Sequence, residues 1–181
     1  MAKFTECAWY FEKHFRILFY KSGIYPKEFI MLDEMDRRIL RALQNDGRIT
    51  NQALADLCHI SPAACFERVK RLRKDGYILS TMAVLDPEKL DCALMIFVEI
   101  LLDRTTGGLF EEFARAVKRR PEIMECHMVG GGFDYLIKVR VKDMAAYRHF
   151  LGTTLVDMPG VRETRTYAVL EEVKNTQTLP V

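Results

Sequence analysis

The chain has no run approaching the about 18 consecutive apolar residues that a membrane-spanning helix needs. Its amino terminus lacks a basic start, an apolar stretch and a small-residue cleavage site, so a cytoplasmic protein is expected. Cysteine is sparse: Cys7, Cys58, Cys65, Cys92 and Cys126 are odd in number and form no C-x-x-C pair. That pattern supports neither a disulfide framework nor a zinc ribbon, and reduced thiols serve well as small core residues. There is no H-x-x-x-H or H-E-x-x-H, so no metal site is expected. Gly130-Gly131-Gly132 has no lysine and helix behind it, which excludes a phosphate loop. Cys126 and His127 are neighbours on an expected strand and point to opposite faces, so they cannot act together. The acid pairs Glu111-Glu112 and Glu171-Glu172 read as solvated faces. No catalytic residues are assigned, and the chain reads as a non-enzyme. The charge balance is also weak, with a formal net charge of +2 across 181 residues. Any case for a polyanionic partner must come from local clustering.

Such a cluster exists. The segment ITNQALADLCHISPAACFERVKRLRKDGYI, from Ile49 to Ile78, reads as two short helices with a tight break. Thr50 caps the first and places Ala53, Leu54 and Leu57 inward. Ser61 caps the second, with Pro62 at the first helical position, where its missing N–H costs nothing. This second helix carries Arg68, Lys70, Arg71, Arg73 and Lys74 against one acid, Glu67. Cys65, Val69 and Leu72 form its core stripe, and Ala63, Glu67, Lys70, Arg71 and Lys74 point away. Small residues at Ala63 and Ala64 let the backbone approach base edges. Arg68, Arg71 and Lys74 are placed to clamp phosphates, which sets register and affinity. The residues assigned to duplex DNA are Thr50, Asn51, Ser61, Pro62, Ala63, Ala64, Phe66, Glu67, Arg68, Lys70, Arg71 and Lys74.

The rest of the chain divides around this segment. Residues 1–30 hold many of the aromatics, among them Trp9, Phe11, Phe15 and Tyr20, without a clean amphipathic face. They read as a poorly ordered leader or as sequence upstream of a start at Met31; the functional alternative is an extra helix packed on a partner or membrane surface. Residues 31–77 form a helix-turn-helix domain. Its first helix repeats apolar side chains at Leu32, Met35, Ile39, Leu40 and Leu43, has Asp33 and Asp36 at its positive end, and is closed by Gly47. Residues 78–92 read as an extended linker. From residue 93 to 175 the pattern becomes βαββαβ. A buried strand ALMIFVEILL is followed by a helix over Thr106 to Arg120, a strand over Ile123 to Val129, and a strand over Phe133 to Val141. A helix capped by Asp143 then runs to Leu155 with Met144, Tyr147 and Leu151 inward, and a last strand covers Val161 to Val173. Residues 176–181 are a tail. The fold class is α+β.

LDEMDRRILRALQNDGRIT followed by SPAACFERVKRL resembles the winged helix-turn-helix domain of the Lrp/AsnC family of regulators. EIMECHMVGGGFDYLIKVRV, DMAAYRHFLGTTLVDMPGV and TRTYAVLEEVK resemble that family's effector domain, called RAM. The likeness runs from about Leu32 to Val173. It implies a sequence-specific transcriptional regulator that binds a small amino-acid effector and self-associates as dimers, tetramers or octamers. Carried over by motif, the effector cleft involves Met128, Val129, Gly130, Gly131, Gly132, Asp134, Tyr167, Ala168 and Val169. Glycine amides would approach an α-carboxylate, Asp134 would attract an α-ammonium, and Met128 and Val169 would line an apolar pocket. Many relatives have Ser/Thr-Pro-Thr-Pro-Cys where this chain has Ser61-Pro62-Ala63-Ala64-Cys65, so no family operator sequence is carried over. The alternative is an architectural protein that wraps or bends DNA with no effector.

Overall fold

The computed structural model describes residues 32–103 and 108–181. The expectations for residues 1–30, and for Cys7, lie outside the described residues. The chain forms two compact units, one ending at Met82 and including Thr178–Val181, the other spanning Ala83–Gln177. The division falls inside the expected linker, and the last residues of the tail belong with the first unit. There the Leu179 N–H donates to Gln44 Oε1 (2.6 Å), Gln44 Nε2 donates to the Leu179 carbonyl (3.1 Å), and Arg41 Nε donates to the Val181 carbonyl (2.6 Å).

The first unit holds helices α1 (Glu34–Asn45), α2 (Asn51–Cys58) and α3 (Pro62–Lys74). Each start is capped by a side chain: Asp33 accepts from Asp36 N, Thr50 from Ala53 N and Ser61 from Ala64 N. Ile39, Leu40, Leu54, Ala55, Cys58, Cys65 and Leu72 make the core, with Val69 partly buried. The inward face of α2 differs from expectation: Leu54, Ala55 and Cys58 are buried, whereas Ala53 and Leu57 are exposed. The stripe on so short a helix is set by where α1 and α3 lie, which two turns of periodicity do not fix. The tight turn after α2 uses His59 in the left-handed region (φ 58°), with Ile60 N donating to Ala55 O (3.0 Å). At the end of α3, Gly76 (φ 80°) supports the same motif, its N–H donating to Arg73 O and that of Tyr77 to Leu72 O. Gly47 does not close α1 in that way. The cap is Asp46 in extended conformation, and Gly47 does not adopt the left-handed region.

The second unit is a four-stranded antiparallel sheet ordered β2-β3-β1-β4, built from β1 (Leu94–Leu102), β2 (Ile123–Met128), β3 (Tyr135–Val141) and β4 (Val161–Ala168). Helices α4 (Leu109–Val117) and α5 (Met144–Phe150) contribute Leu109, Phe113, Val117, Tyr147 and Phe150 to its core. These meet Ile96, Val98, Ile100, Tyr135, Ile137 and Val139, and each such side chain removed from water contributes on the order of 1.5–3 kcal/mol. This is the expected βαββαβ arrangement. Three details differ. Met144 is exposed, because Asp143 caps by accepting from Ala146 N and aims the first turn outward. The helix passes into a π-helical turn over Leu151–Leu155, which brings Leu155 into the core. The last strand stops at Ala168, after which only Val169 N still bonds β1, at Met95 O. Gly160 (φ 71°) precedes that strand in the left-handed region, and a side chain there would also collide with that of Leu109.

One polar contact sets the attitude of α3. Asp36 is 1% exposed, and its carboxylate accepts from Arg71 Nη2 (2.6 Å) and Arg68 Nη1 (2.8 Å), the latter also reaching Asp33 (2.6 Å). Asp36→Ala removes both of these bonds and the one its carboxylate accepts from the Asp33 N–H (3.4 Å), and is expected to lower stability by about 1.5–3 kcal/mol; an unchanged chemical denaturation midpoint would contradict it. Asp33 has its carboxyl held below the ordinary carboxylate value, first by the Asp36 backbone N–H and then by Arg68. The folded state therefore binds that proton less readily than the unfolded one. Its contribution is present above the ordinary carboxylate range and is lost as pH falls through the lowered value. Asp33→Asn keeps a capping oxygen but does not titrate, so its denaturation midpoint should fall less steeply with acid than the wild type; parallel profiles would refute this.

Candidate nucleic-acid interface and ligand-binding region

Helix α3 turns by about 100° per residue, so with Cys65 facing the core, Phe66, Lys70, Ala63, Lys74 and Glu67 follow one another around the outward arc. Phe66 is 56% exposed, and Ala63, Glu67, Lys70 and Lys74 are exposed with it. Pro62 and Ala64 are also exposed at the helix start. The result is a low, apolar amino-terminal end with cations further along. Thr50, Asn51 and Ser61 have a first duty inside the fold. Thr50 Oγ1 and Ser61 Oγ accept the capping bonds (3.2 and 3.3 Å), and Asn51 Nδ2 donates to Pro62 O (2.8 Å), tying the start of α2 to the start of α3.

The basic residues separate into two sets. Arg68 and Arg71 lie on the flank turned toward α1 and are held by Asp33 and Asp36. A phosphate would have to compete with those carboxylates, which narrows the clamp expected of Arg68 and Arg71. The hydrogen bonds to Asp33 and Asp36 also raise the Arg68 pKa. Among the described residues Lys74 and Arg73 have no ion pair, and Lys70 is 4.0 Å from Glu67 on an exposed surface, a contact of little energetic weight. The sequence reading missed this split. Its signal was an aspartate at the cap and another three residues on, next to a helix rich in arginine.

The residues expected to bind an effector fall into two places. Met128, 64% exposed, ends β2, and Gly130, Gly131 and Gly132 follow as an exposed bend. None of these glycines has a left-handed φ, and a Cβ at each would meet nothing within 4 Å. Val129 is half-buried; its N–H donates to Asp134 O (3.0 Å). Asp134 itself is buried: its Oδ2 accepts from Leu102 N (2.9 Å) and its own N–H donates to Ile100 O (2.9 Å). That carboxylate stitches the bend to β1. Tyr167, Ala168 and Val169 lie on β4 or just after it, and the Tyr167 hydroxyl donates to Glu99 Oε1 (3.1 Å), a bond that raises the phenol pKa.

Register fixes how far apart these places are. Met128 pairs with Tyr135, Tyr135 with Ile100, and Ile100 with Thr164. Tyr167 is three residues further along β4, paired with Phe97. Strands β2 and β4 are the opposite edges of the sheet. Three strand spacings of about 4.8 Å and three residues of about 3.4 Å separate Met128 from Tyr167, too far for one amino acid to touch both.

Other reactive groups are quiet. Burial raises the thiol pKa of Cys58, Cys65 and Cys126, which disfavours the nucleophilic thiolate. Cys126 pairs with Ile137 and His127 with Leu136, so their side chains face opposite ways. Among the described residues no cluster of His, Cys, Asp and Glu could hold a metal ion, and no helix is long and apolar enough to cross a membrane.

Comparison with known proteins accounts for both units. Residues 32–78 match the winged helix-turn-helix DNA-binding family, and residues 95–179 match the family described as the Lrp/AsnC ligand binding domain. The leucine-responsive regulatory proteins of Escherichia coli K12 and Salmonella typhimurium are each 51% identical over 150 residues, covering 83% of this chain and 92% of theirs. Among solved structures, the transcriptional regulator NMB0573 of Neisseria meningitidis in complex with L-Met superimposes with a TM-score of 0.80 at 35% identity, covering 83% of this chain and 97% of that one. An AsnC family transcriptional regulator from Agrobacterium tumefaciens gives 0.79 at 32% identity, covering 82% and 97%. With its helix-turn-helix unit and its four-stranded ligand-binding unit both matched, the chain belongs to the Lrp/AsnC family of transcriptional regulators.

Proposed function

We propose that this regulator binds duplex DNA through α3, takes a small amino acid as effector on its second unit, and does so as an assembly of identical copies in the cytoplasm, with no catalytic step. The outward arc of α3 carries the DNA reading. Ala63, Ala64 and Phe66 are placed for base edges, and Lys70 and Lys74 supply phosphate contacts that no internal carboxylate holds tightly. Two such helices, one from each copy of a dimer, would enter successive major grooves about 34 Å apart.

The effector reading rests on the ligand-binding family match and on the L-Met complex of the Neisseria relative. Sheet order adds a condition. Because the Met128–Gly132 segment and the Tyr167–Val169 segment lie at opposite edges of one sheet, a pocket using both is built from two copies. The sheet face away from α4 and α5 carries Phe97, Leu101, Leu136 and Tyr167 among charged neighbours, a mixed surface suited to self-association. Asp134 then acts by holding the bend in place, and the glycines leave room for a ligand.

Lys70→Gln/Lys74→Gln should reduce the salt slope of DNA binding by about 1.8 units per bound copy, about 3.6 for a dimer, at about 0.9 per phosphate contact; anisotropy titrations showing the wild-type slope would reject these lysines as phosphate contacts. The shared pocket is tested by subunit mixing. Gly131→Leu fills the bend without backbone strain, and Tyr167→Ala removes the other edge. Each alone should abolish the thermal stabilisation given by an effector found in an amino-acid screen. Random mixing of the two should restore about a quarter of the sites, because each mixed dimer has one intact pocket. No recovery on mixing would place the pocket within one copy.

A further inference from the structure

Among the described cations of the second unit, Lys89, Lys138, Arg140, Lys142 and Arg165 each hold an acid at 2.9–3.7 Å. Arg148, Arg162 and Lys174 are exposed, lie apart in sequence and form no ion pair among the described residues. Arg115, Lys118, Arg119 and Arg120 are likewise exposed and hold no acid there, but they are close together. They crowd the carboxyl-terminal end of α4 and the turn that follows, where Arg119 N bonds Ala116 O and Arg120 N bonds Val117 O. The helix dipole favours a cation at such an end, an effect that falls off within one turn. It does not call for four within six residues, and none of the four forms an ion pair with a described carboxylate. Arg115 and Arg119 also line a depression of about 280 Å³ with Glu112, Ala116 and Pro159. Glu112 is the one acid there, and it pairs with neither arginine.

We propose that Arg115, Lys118, Arg119 and Arg120 form a second, sequence-independent DNA surface that binds phosphates outside the segment read by α3. This rests on the reading of α3 as the DNA reader. Flexible cations that make no bidentate partner within the fold suit a periodic polyanion, where each neutralised phosphate releases counterions. DNA already held by α3 is present at high effective concentration for any other surface of the same assembly, so individually weak contacts become effective. An acidic protein segment is the competing partner and lacks that advantage.

The test uses the full chain and two mixed-sequence duplexes, of about 20 and about 150 base pairs, titrated between roughly 50 and 200 mM salt. Lys118→Gln/Arg119→Gln/Arg120→Gln should reduce the salt slope on the long duplex by about 2.7 units for each copy whose surface is engaged, at 0.9 per phosphate. Melting temperature and sedimentation should stay those of the wild type. Arg119→Lys/Arg120→Lys, with Lys118 unchanged, keeps the charge at the same positions and should keep the slope. A wild-type slope for the glutamine variant on the long duplex overturns the proposal, as does an equal loss in the charge-conserving variant, which would mark a packing role. The α3 variant Lys70→Gln/Lys74→Gln separates the two readings. If it binds both duplexes like the wild type while the glutamine triple loses slope, the α3 reading fails and the second surface stands.

Discussion

A single carboxylate, that of Asp36, decides how the DNA-facing unit is presented. A charge this deeply buried is costly unless paired and hydrogen-bonded. Its partners are the guanidinium groups of Arg68 and Arg71, which come from α3. Cys65 and Leu72 fix which side of α3 lies against the core; the ion pairs fix it a second time from the flank. With both in place the helix has one rotational setting about its own axis, and Ala63, Phe66, Lys70 and Lys74 have no direction left but outward. Replacing such a network by apolar residues of similar volume is often neutral for stability, so its value here lies in orientation.

Charge therefore has two uses on this chain, told apart by partners and not by residue type. Arg68 and Arg71 are internal fasteners. Lys70, Lys74 and, in the other unit, Arg115 and Lys118–Arg120 face solvent with little or nothing to hold them. A net charge of +2 conceals this, because the fastened cations cancel against their own acids while the unfastened ones remain as local fields. In the reading proposed above, what DNA meets is the second set.

Much of the fold was legible because it rests on local rules. Thr50, Ser61-Pro62 and Asp143 mark helix starts through hydrogen bonds three residues long, and each does so in the structure. The alternation of Tyr135, Ile137, Val139 and Val141 places a strand with one buried face. The errors occur where the deciding partner is distant in sequence. Leu57 looks apolar and periodic, yet α1 and α3 leave it outside. Met144 fits a stripe that the capped turn directs away from the core. Arg71 reads as an outward cation until Asp36, 35 residues earlier, claims it. The same limit applies to the ligand region. Motif likeness brought Met128 and Tyr167 together on paper, but strand order, which no single segment encodes, puts them on opposite edges.

That separation carries a thermodynamic consequence for the proposed pocket. If each effector touches two copies, ligand binding and self-association share one free energy, and each must strengthen the other by the same factor. No rearrangement within a copy is required: a ligand that binds only the paired form draws copies together by mass action. A coupling of about 1–3 kcal/mol, five- to 150-fold in affinity, then follows from placing part of the binding surface on each side of the interface. DNA reading inherits the effect, since two α3 helices span adjacent grooves only when two copies are joined. The glycine bend supplies open space, Asp134 holds that bend against β1, and β4 brings Tyr167 to the other edge, so the path from effector to operator in this reading runs through assembly.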